Sequence, residues 1–322
     1  MPYWDLVTRS FRIAWDRKYI WLIALFAGES GGGGYSYSTN YNTRSTSPGA
    51  APDVGSIQTQ VTDWISGHVG LIVVIAVVWL LLVIGFFILG AVCQGATVRA
   101  AAEHDAERQF GLGWAWRSGV GTMWVMVRFR LLIVALGLPL FLVVAGAAVG
   151  LIFAIAAQNG TAIGLTAGIG LLALLVGIPY FVYISLLDRF GSRAVVLEQL
   201  GATKALARGH RLLFKRLGRA LLVLLLAVGV SIVVNIALAC FFAILAIPLV
   251  VIGIGLATVN STAGVAVLVI SLLVLIPVAL VIQGFFSAQG SIYWTLAFRR
   301  LDLDYAPAPT FQYQPPPPQP AQ

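Results

Sequence analysis

The densest group of side chains able to do chemistry is Glu103-His104-Asp105-Ala106-Glu107, three carboxylates and an imidazole within five positions. Carboxylate and imidazole together suit divalent cations. Consecutive helical residues project in different directions, however, so this run cannot converge on one ion. It is expected to be a solvated face, and neither a metal nor a cofactor is expected anywhere in the chain. His68 and His210 lie elsewhere with no acid or nucleophile nearby in sequence. There is no Walker A loop, no G-x-S-x-G elbow and no paired-cysteine motif. No catalytic residue is assigned, and the chain is expected not to be an enzyme.

Ionisable groups deep in apolar segments mark proton relays and ion pathways, because they are costly there. None of the twelve Asp and Glu lies deep in an apolar run, which argues against proton coupling. Polar side chains inside such runs include Tyr180, Tyr183, Ser185, Ser231, Asn235 and Gln283. Asn235 and Gln283 are the best candidates for an intramembrane polar site. The favoured reading of all six is nevertheless interhelical hydrogen bonding, worth on average about 0.6 kcal/mol each.

Apolar residues make up 59% of the 322 positions and charged ones only 10%, and the mean hydropathy is +0.92. That balance belongs to an integral membrane protein rather than a soluble domain. Nineteen of the twenty Lys and Arg fall in four groups, Arg9 to Lys18, Arg99 to Arg130, Arg189 to Arg219, and Arg299 with Arg300; only Arg44 lies outside them. By the positive-inside rule these groups mark the cytoplasmic face, with both termini there. The high pI of about 9.8 therefore points to anionic lipid head groups and not to nucleic acid. Seventeen Arg against three Lys suggest a GC-rich bacterial genome, and hence the bacterial plasma (inner) membrane. Cys93 and Cys240 fall at different depths and are expected to be unpaired core residues.

Residues 1–303 read as one all-α integral membrane domain of six transmembrane helices. Residues 4–18 alternate apolar and basic positions at helical spacing and form an interfacial amphipathic helix. Tyr19 to Gly28 is short for a hydrocarbon core that takes about 20 residues. It is still expected to cross, because otherwise the first two basic groups would face opposite sides. A signal peptide is the competing reading, disfavoured by its long charged region. Residues 29–63 read as a flexible extracytoplasmic loop and residues 304–322 as a disordered Pro-rich cytoplasmic tail. Pro139, Pro179, Pro248 and Pro277 are the expected kink sites.

The chain also repeats itself. Ser10-Phe11-Arg12-Ile13-Ala14-Trp15-Asp16-Arg17 aligns with Gly209-His210-Arg211-Leu212-Leu213-Phe214-Lys215-Arg216, and more weakly with Gly119 to Met126, which places Trp124 with Trp15 and Phe214. A second marker closes each unit: Gln94-Gly95-Ala96, Phe190-Gly191-Ser192 and Gln289-Gly290-Ser291. Three hairpin repeats are expected, at about residues 4–98, 112–194 and 202–298. The small residues at the markers suit close helix approach. The outer tips Asn159-Gly160-Thr161 and Asn260-Ser261-Thr262 are read as helix starts capped by Thr161 or Thr262.

The segment "LEQLGATKALARGHRLLFKRLGRALL" at Leu197 to Leu222, with the opening "SFRIAWDRKYIWLIALFAG" and the ending "GSIYWTLAFRRLD", resembles uncharacterised bacterial multi-span proteins. These are similar to the membrane domain of some glycerophosphoryl diester phosphodiesterases. The family's hydrolase activity resides in a separate soluble barrel for which this chain has no room. The resemblance thus implies a helical membrane module without that activity, for lipid handling or as a scaffold.

The expected function is interaction with lipids, or scaffolding of a membrane protein partner. Arg208, Arg211, Lys215, Arg216 and Arg219 are the residues expected to bind anionic head groups, at about 1 kcal/mol each. The alternative is a transporter or channel for a small apolar or zwitterionic solute, with Asn235 and Gln283 meeting where helices break at Pro248 and Pro277.

Overall fold

The computed structural model describes residues 3–27, 66–108, 110–259 and 261–301. The expected loop at 29–63, the tail at 304–322 and Asn260 lie outside these. Among the described residues the fold is all helical: α1 (Trp4–Asp16), α2 (Tyr19–Ala27), α3 (Val69–Asp105), α4 (Leu112–Ala156), α5 (Gly160–Leu197), α6 (Ala202–Lys215), α7 (Leu217–Val259) and α8 (Ser261–Leu301). The chain divides into two compact units, residues 1–33 with 90–322, and residues 34–89. The described part of the second unit holds the first half of α3.

Five helices, α3, α4, α5, α7 and α8, are long and apolar enough to cross a membrane. The nine residues of α2 extend about 14 Å at a rise of 1.5 Å per residue, well short of a bilayer core of about 30 Å. The long helices overshoot a bilayer: α4 has 45 residues and α7 has 43. Their apolar centres are nearly bare of protein, with 0% of the most apolar stretch of α4 buried and 17% of that of α5, as expected of membrane-spanning helices. Each of Pro139, Pro179, Pro248 and Pro277 lies inside a helix that continues past it, so the helices do not break at these positions.

Four of these five helices form two antiparallel pairs. In α4 and α5, the Tyr180 hydroxyl donates to the Leu136 carbonyl at 2.8 Å, and Gly177 admits the Leu140 side chain. In α7 and α8, Gly253 receives Leu268. The turn from α4 to α5 places Gln158 in the left-handed region, with φ 51°. The cap of α5 is Asn159, whose side-chain oxygen accepts from the Ala162 amide at 3.2 Å. This corrects the expectation that Thr161 caps it: the asparagine one position before the helix is already extended and aims its carbonyl at the free amides.

Protein packing concentrates at the basic ends of the long helices. Residues 90–98 of α3, 186–187 and 190–197 of α5, and 287–298 of α8 are buried. Around these ends lie the short helices. α1 buries Leu6, Val7, Ser10 and Ala14, one helical stripe, and α6 buries Ala205, Gly209, Leu212 and Leu213, another. Each large side chain so buried contributes about 1.5–3 kcal/mol.

Candidate functional site

Each of the three basic segments meets one of the small-residue markers. A Cβ on Gly209 of α6 would lie 3.2 Å from the Gly191 amide nitrogen. In α4, a Cβ on Gly119 would meet the Val92 carbonyl and come within 3.1 Å of Ala96 Cβ. In α1 the aligned residue is Ser10, and its hydroxyl accepts from Gln289 Nε2 at 3.0 Å while donating to the Val7 carbonyl at 2.7 Å.

The α6 junction leaves an open site. A cleft of about 750 Å³ lies between α6, the α5 segment from Tyr183 to Leu187, and Leu136 of α4. Its α6 wall carries Thr203, Leu206, His210, Arg211, Phe214 and Lys215. The Tyr183 hydroxyl and His210 Nδ1 share a hydrogen bond of 2.8 Å, and the Phe214 ring lies 4.5 Å from the imidazole, centroid to centroid. The helical spacing of 211 and 215 puts two cations on one face. Among the described residues that line the cleft none is a carboxylate. The site thus offers cationic and neutral donors above an apolar floor, an arrangement suited to an anionic amphiphile.

Of the five residues expected to bind head groups, Arg211 and Lys215 are brought together in this cleft. Arg208 instead pairs with Glu198 at 3.3 Å. Arg216 is half-buried, with Nη1 shut away from solvent and lacking a hydrogen-bond partner, and Arg219 is exposed beyond the cleft. Sequence reasoning named Tyr183 among the polar span residues but gave His210 no partner, and did not join the two. The available signal was their place on two segments that a short connection forces to pack together.

The intramembrane pair does not converge. The Asn235 amide donates to the Ser231 carbonyl at 2.7 Å and to its hydroxyl at 3.2 Å, within its own helix. Gln283 is exposed on α8.

The acidic run is not a solvated face. Asp105, with 16% of its side chain exposed, binds Arg9 at 2.8 Å and also Arg299, while Glu103 pairs with Arg99 at 2.8 Å and with Arg108 at 3.3 Å. His104 Nε2 shares a hydrogen bond with the Tyr19 hydroxyl. Arg9, Tyr19 and Arg299 come from α1, α2 and α8, which sequence proximity could not reveal. Among the described residues no three His, Cys, Asp or Glu are grouped to hold a metal.

Arg130 was read as one of a flanking basic group, and its role is structural. Its Nη2 donates to the carbonyl of Ala27, the last residue of α2, at 2.8 Å and to Gly90 at 3.3 Å, while Nε donates to Gln94 Oε1 at 3.0 Å. Gly90 makes room, since a Cβ there would lie 2.9 Å from Arg130 Nη1. Arg193 is fully buried between α5 and α8, with Nη1 donating to the Arg189 carbonyl at 3.1 Å.

Five long apolar helices, a basic protein-packed end and bare apolar centres define a multi-pass helical membrane protein. The chain belongs to a family of unknown function, DUF7544, whose profile matches residues 7–305. No curated protein and no solved structure matches it, and no link to the membrane domain of glycerophosphoryl diester phosphodiesterases is shown.

Proposed function

We propose that this protein is a non-enzymatic, lipid-interacting protein of a cell membrane, with six crossings in three hairpin repeats and both termini on the cytoplasmic side. The observation that carries the reading is α6: its buried stripe fixes it against α5, while Arg211, Phe214 and Lys215 are exposed beside the apolar hairpin. A helix held at that level presents cations to head groups and a ring to the acyl boundary. The repeat draws support from the recurring meeting of basic segment and marker at Gly119, Gly209 and Ser10. The sixth crossing draws support from the charge groups, which otherwise fall on opposite faces.

The transporter alternative is less favoured, because Asn235 satisfies its amide within its own helix and Gln283 is exposed. A scaffold for a membrane partner remains the second reading.

The test is native mass spectrometry of the protein released from nanodiscs that mix anionic and zwitterionic lipid. The wild type should carry anionic lipid in excess of its share of the bilayer, and the double variant Arg211→Gln, Lys215→Gln should lose that excess. A wild type carrying lipid in bulk proportion, together with a stoichiometric protein, would replace this reading with the scaffold.

A further inference from the structure

We propose that the exposed ridge of Leu112, Trp116 and Val120 at the start of α4 is a docking face for this chain's own proline-rich tail, residues 302–322. The inference goes beyond the lipid-interacting reading and does not depend on it.

The ridge stands beyond the reach of lipid. Leu112, Trp116, Val120 and Trp124 follow one another at four-residue spacing, so they form one row along the helix, and all four are exposed. Arg130 sets the inner limit of the hydrocarbon: it precedes the apolar run of α4 and donates to the Gly90 carbonyl, and from Gly90 to Val98 α3 is buried in protein. At a rise of about 1.5 Å per residue, Trp124 lies about 9 Å beyond Arg130, Val120 about 15 Å, Trp116 about 21 Å and Leu112 about 27 Å. Head groups occupy only about 5–8 Å on each side of the hydrocarbon. Trp124 therefore meets head groups, as an interfacial tryptophan does. The other three are carried past them even at a tilt of about 40°. An apolar row held out in water marks a contact surface.

Helix α8 delivers the tail to this place. Leu301 is buried, and two residues before it Arg299 donates to the Ala102 carbonyl at 3.3 Å and pairs with Asp105. Leu112 follows Asp105 by seven residues, a path of at most about 25 Å. The tail covers that distance easily, since Pro315 to Pro318 lie about 43 Å or more of polyproline chain beyond Leu301. Its composition suits the ridge. Residues 302–322 hold seven prolines and no basic residue, and proline rings on an extended backbone dock against aromatic side chains at low entropic cost. Gly113 supplies a slot: Trp116 and Arg117 flank it at the next turn, and a Cβ there would meet nothing within 4 Å. Arg117, exposed and 5.9 Å over the Trp114 ring, is opposite in sign to Asp302 and Asp304, the charged side chains of the tail.

The experiment is double electron-electron resonance on the full chain in nanodiscs, with Cys93 and Cys240 replaced by alanine and spin labels at Gly121→Cys and Gln319→Cys. Gly121 is exposed on α4, and a Cβ there meets nothing within 4 Å. A docked tail gives one narrow distance peak, and dilution with excess unlabelled chain leaves it in place. Trp116→Ala and Val120→Asp alter exposed side chains and spare the core, and each should lose the peak. Replacement of Pro315 to Pro318 by serine should lose it too, while Trp124→Ala, at head-group level, should keep it. A broad distribution in the unsubstituted ridge would overturn the proposal. So would a peak that survives both ridge variants or the serine replacement. A peak lost on dilution would assign the ridge to the tail of a second copy and overturn the proposal equally.

Discussion

Gln289 donates to Ser10 at 3.0 Å across 279 positions of chain, and both side chains are buried. The bond fastens the first helix to the last. Ser10 stands where Gly119 and Gly209 stand in the other basic segments, so the first junction replaces backbone contact with a side-chain hydrogen bond. Gln289→Ala leaves the Ser10 hydroxyl as donor to Val7 but removes its second partner. A cost of about 1–3 kcal/mol is expected. It should appear as a lowered thermal midpoint in detergent and as faster proteolysis within α1. An unchanged midpoint would show that α1 is held by Leu6, Val7 and the Asp105 pairs alone.

The glycine junctions predict a contrast between helical positions of the same residue type. Gly119→Ala pushes a methyl group into the Val92 carbonyl, which belongs to helix backbone and cannot rotate away. Overpacking of this kind costs about 1–3 kcal/mol. Gly218→Ala, near the start of α7, meets nothing within 4 Å and should be neutral or stabilise by up to about 1 kcal/mol. Equal effects of the two in chemical or thermal unfolding would mean that the close approach at Gly119 does not support the fold.

These junctions also show how far the sequence could be read. Helical class, apolar spans and amphipathic α1 and α6 follow from periodicity and hydropathy, which are local properties. The markers were visible as recurring Gly with Ala or Ser, because three copies on one chain stand in for an alignment. What they touch was not visible. Whether Ser10 faces Gln289, or Asp105 faces Arg9 and Arg299, depends on which helices become neighbours, and no spacing within one helix encodes that. The same limit hid the cleft: Arg211 and Lys215 were legible as a basic face, but Tyr183 reads as an ordinary span residue until α6 folds back over it.

Arg130 closes the end of the nine-residue helix α2. Among its acceptors are Ala27 and Gly90, through their carbonyls, and Gln94, through its amide oxygen. A guanidinium serves them together because its donors fan out in one plane, which an ammonium cannot imitate. Arg130→Gln should cost roughly 1.5–3 kcal/mol, the worth of hydrogen bonds to a charged group. Arg130→Lys should recover little of it. Hydrogen exchange offers the local readout: amides in the last turn of α2 should exchange faster in both variants, while those of α5 stay as in the wild type. Unaltered exchange in α2 would mean that its end is held by packing on α8, where a Cβ on Gly284 would lie 2.8 Å from the Trp21 carbonyl.

The number of crossings can be decided by labelling with a membrane-impermeant thiol reagent. Both native cysteines are free, Cys93 buried and Cys240 exposed, so both are first replaced by alanine. Single cysteines then go to three exposed positions: Thr8 on α1, Thr203 on α6, and Thr161 at the turn between α4 and α5. Thr203 and Thr161 bracket α5, a 38-residue helix, and must label from opposite faces if it spans. Thr8 discriminates between five crossings and six. With six, the chain crosses between α1 and α3, and Thr8 labels from the same face as Thr203. The packing within the first unit favours this outcome, since Arg9 reaches Asp105 at the end of α3 at 2.8 Å and Ser10 reaches Gln289, which lies in the basic half of α8. Labelling of Thr8 from the Thr161 face would separate α1 from those partners in the membrane, and would remove both the sixth crossing and the first of the three repeats.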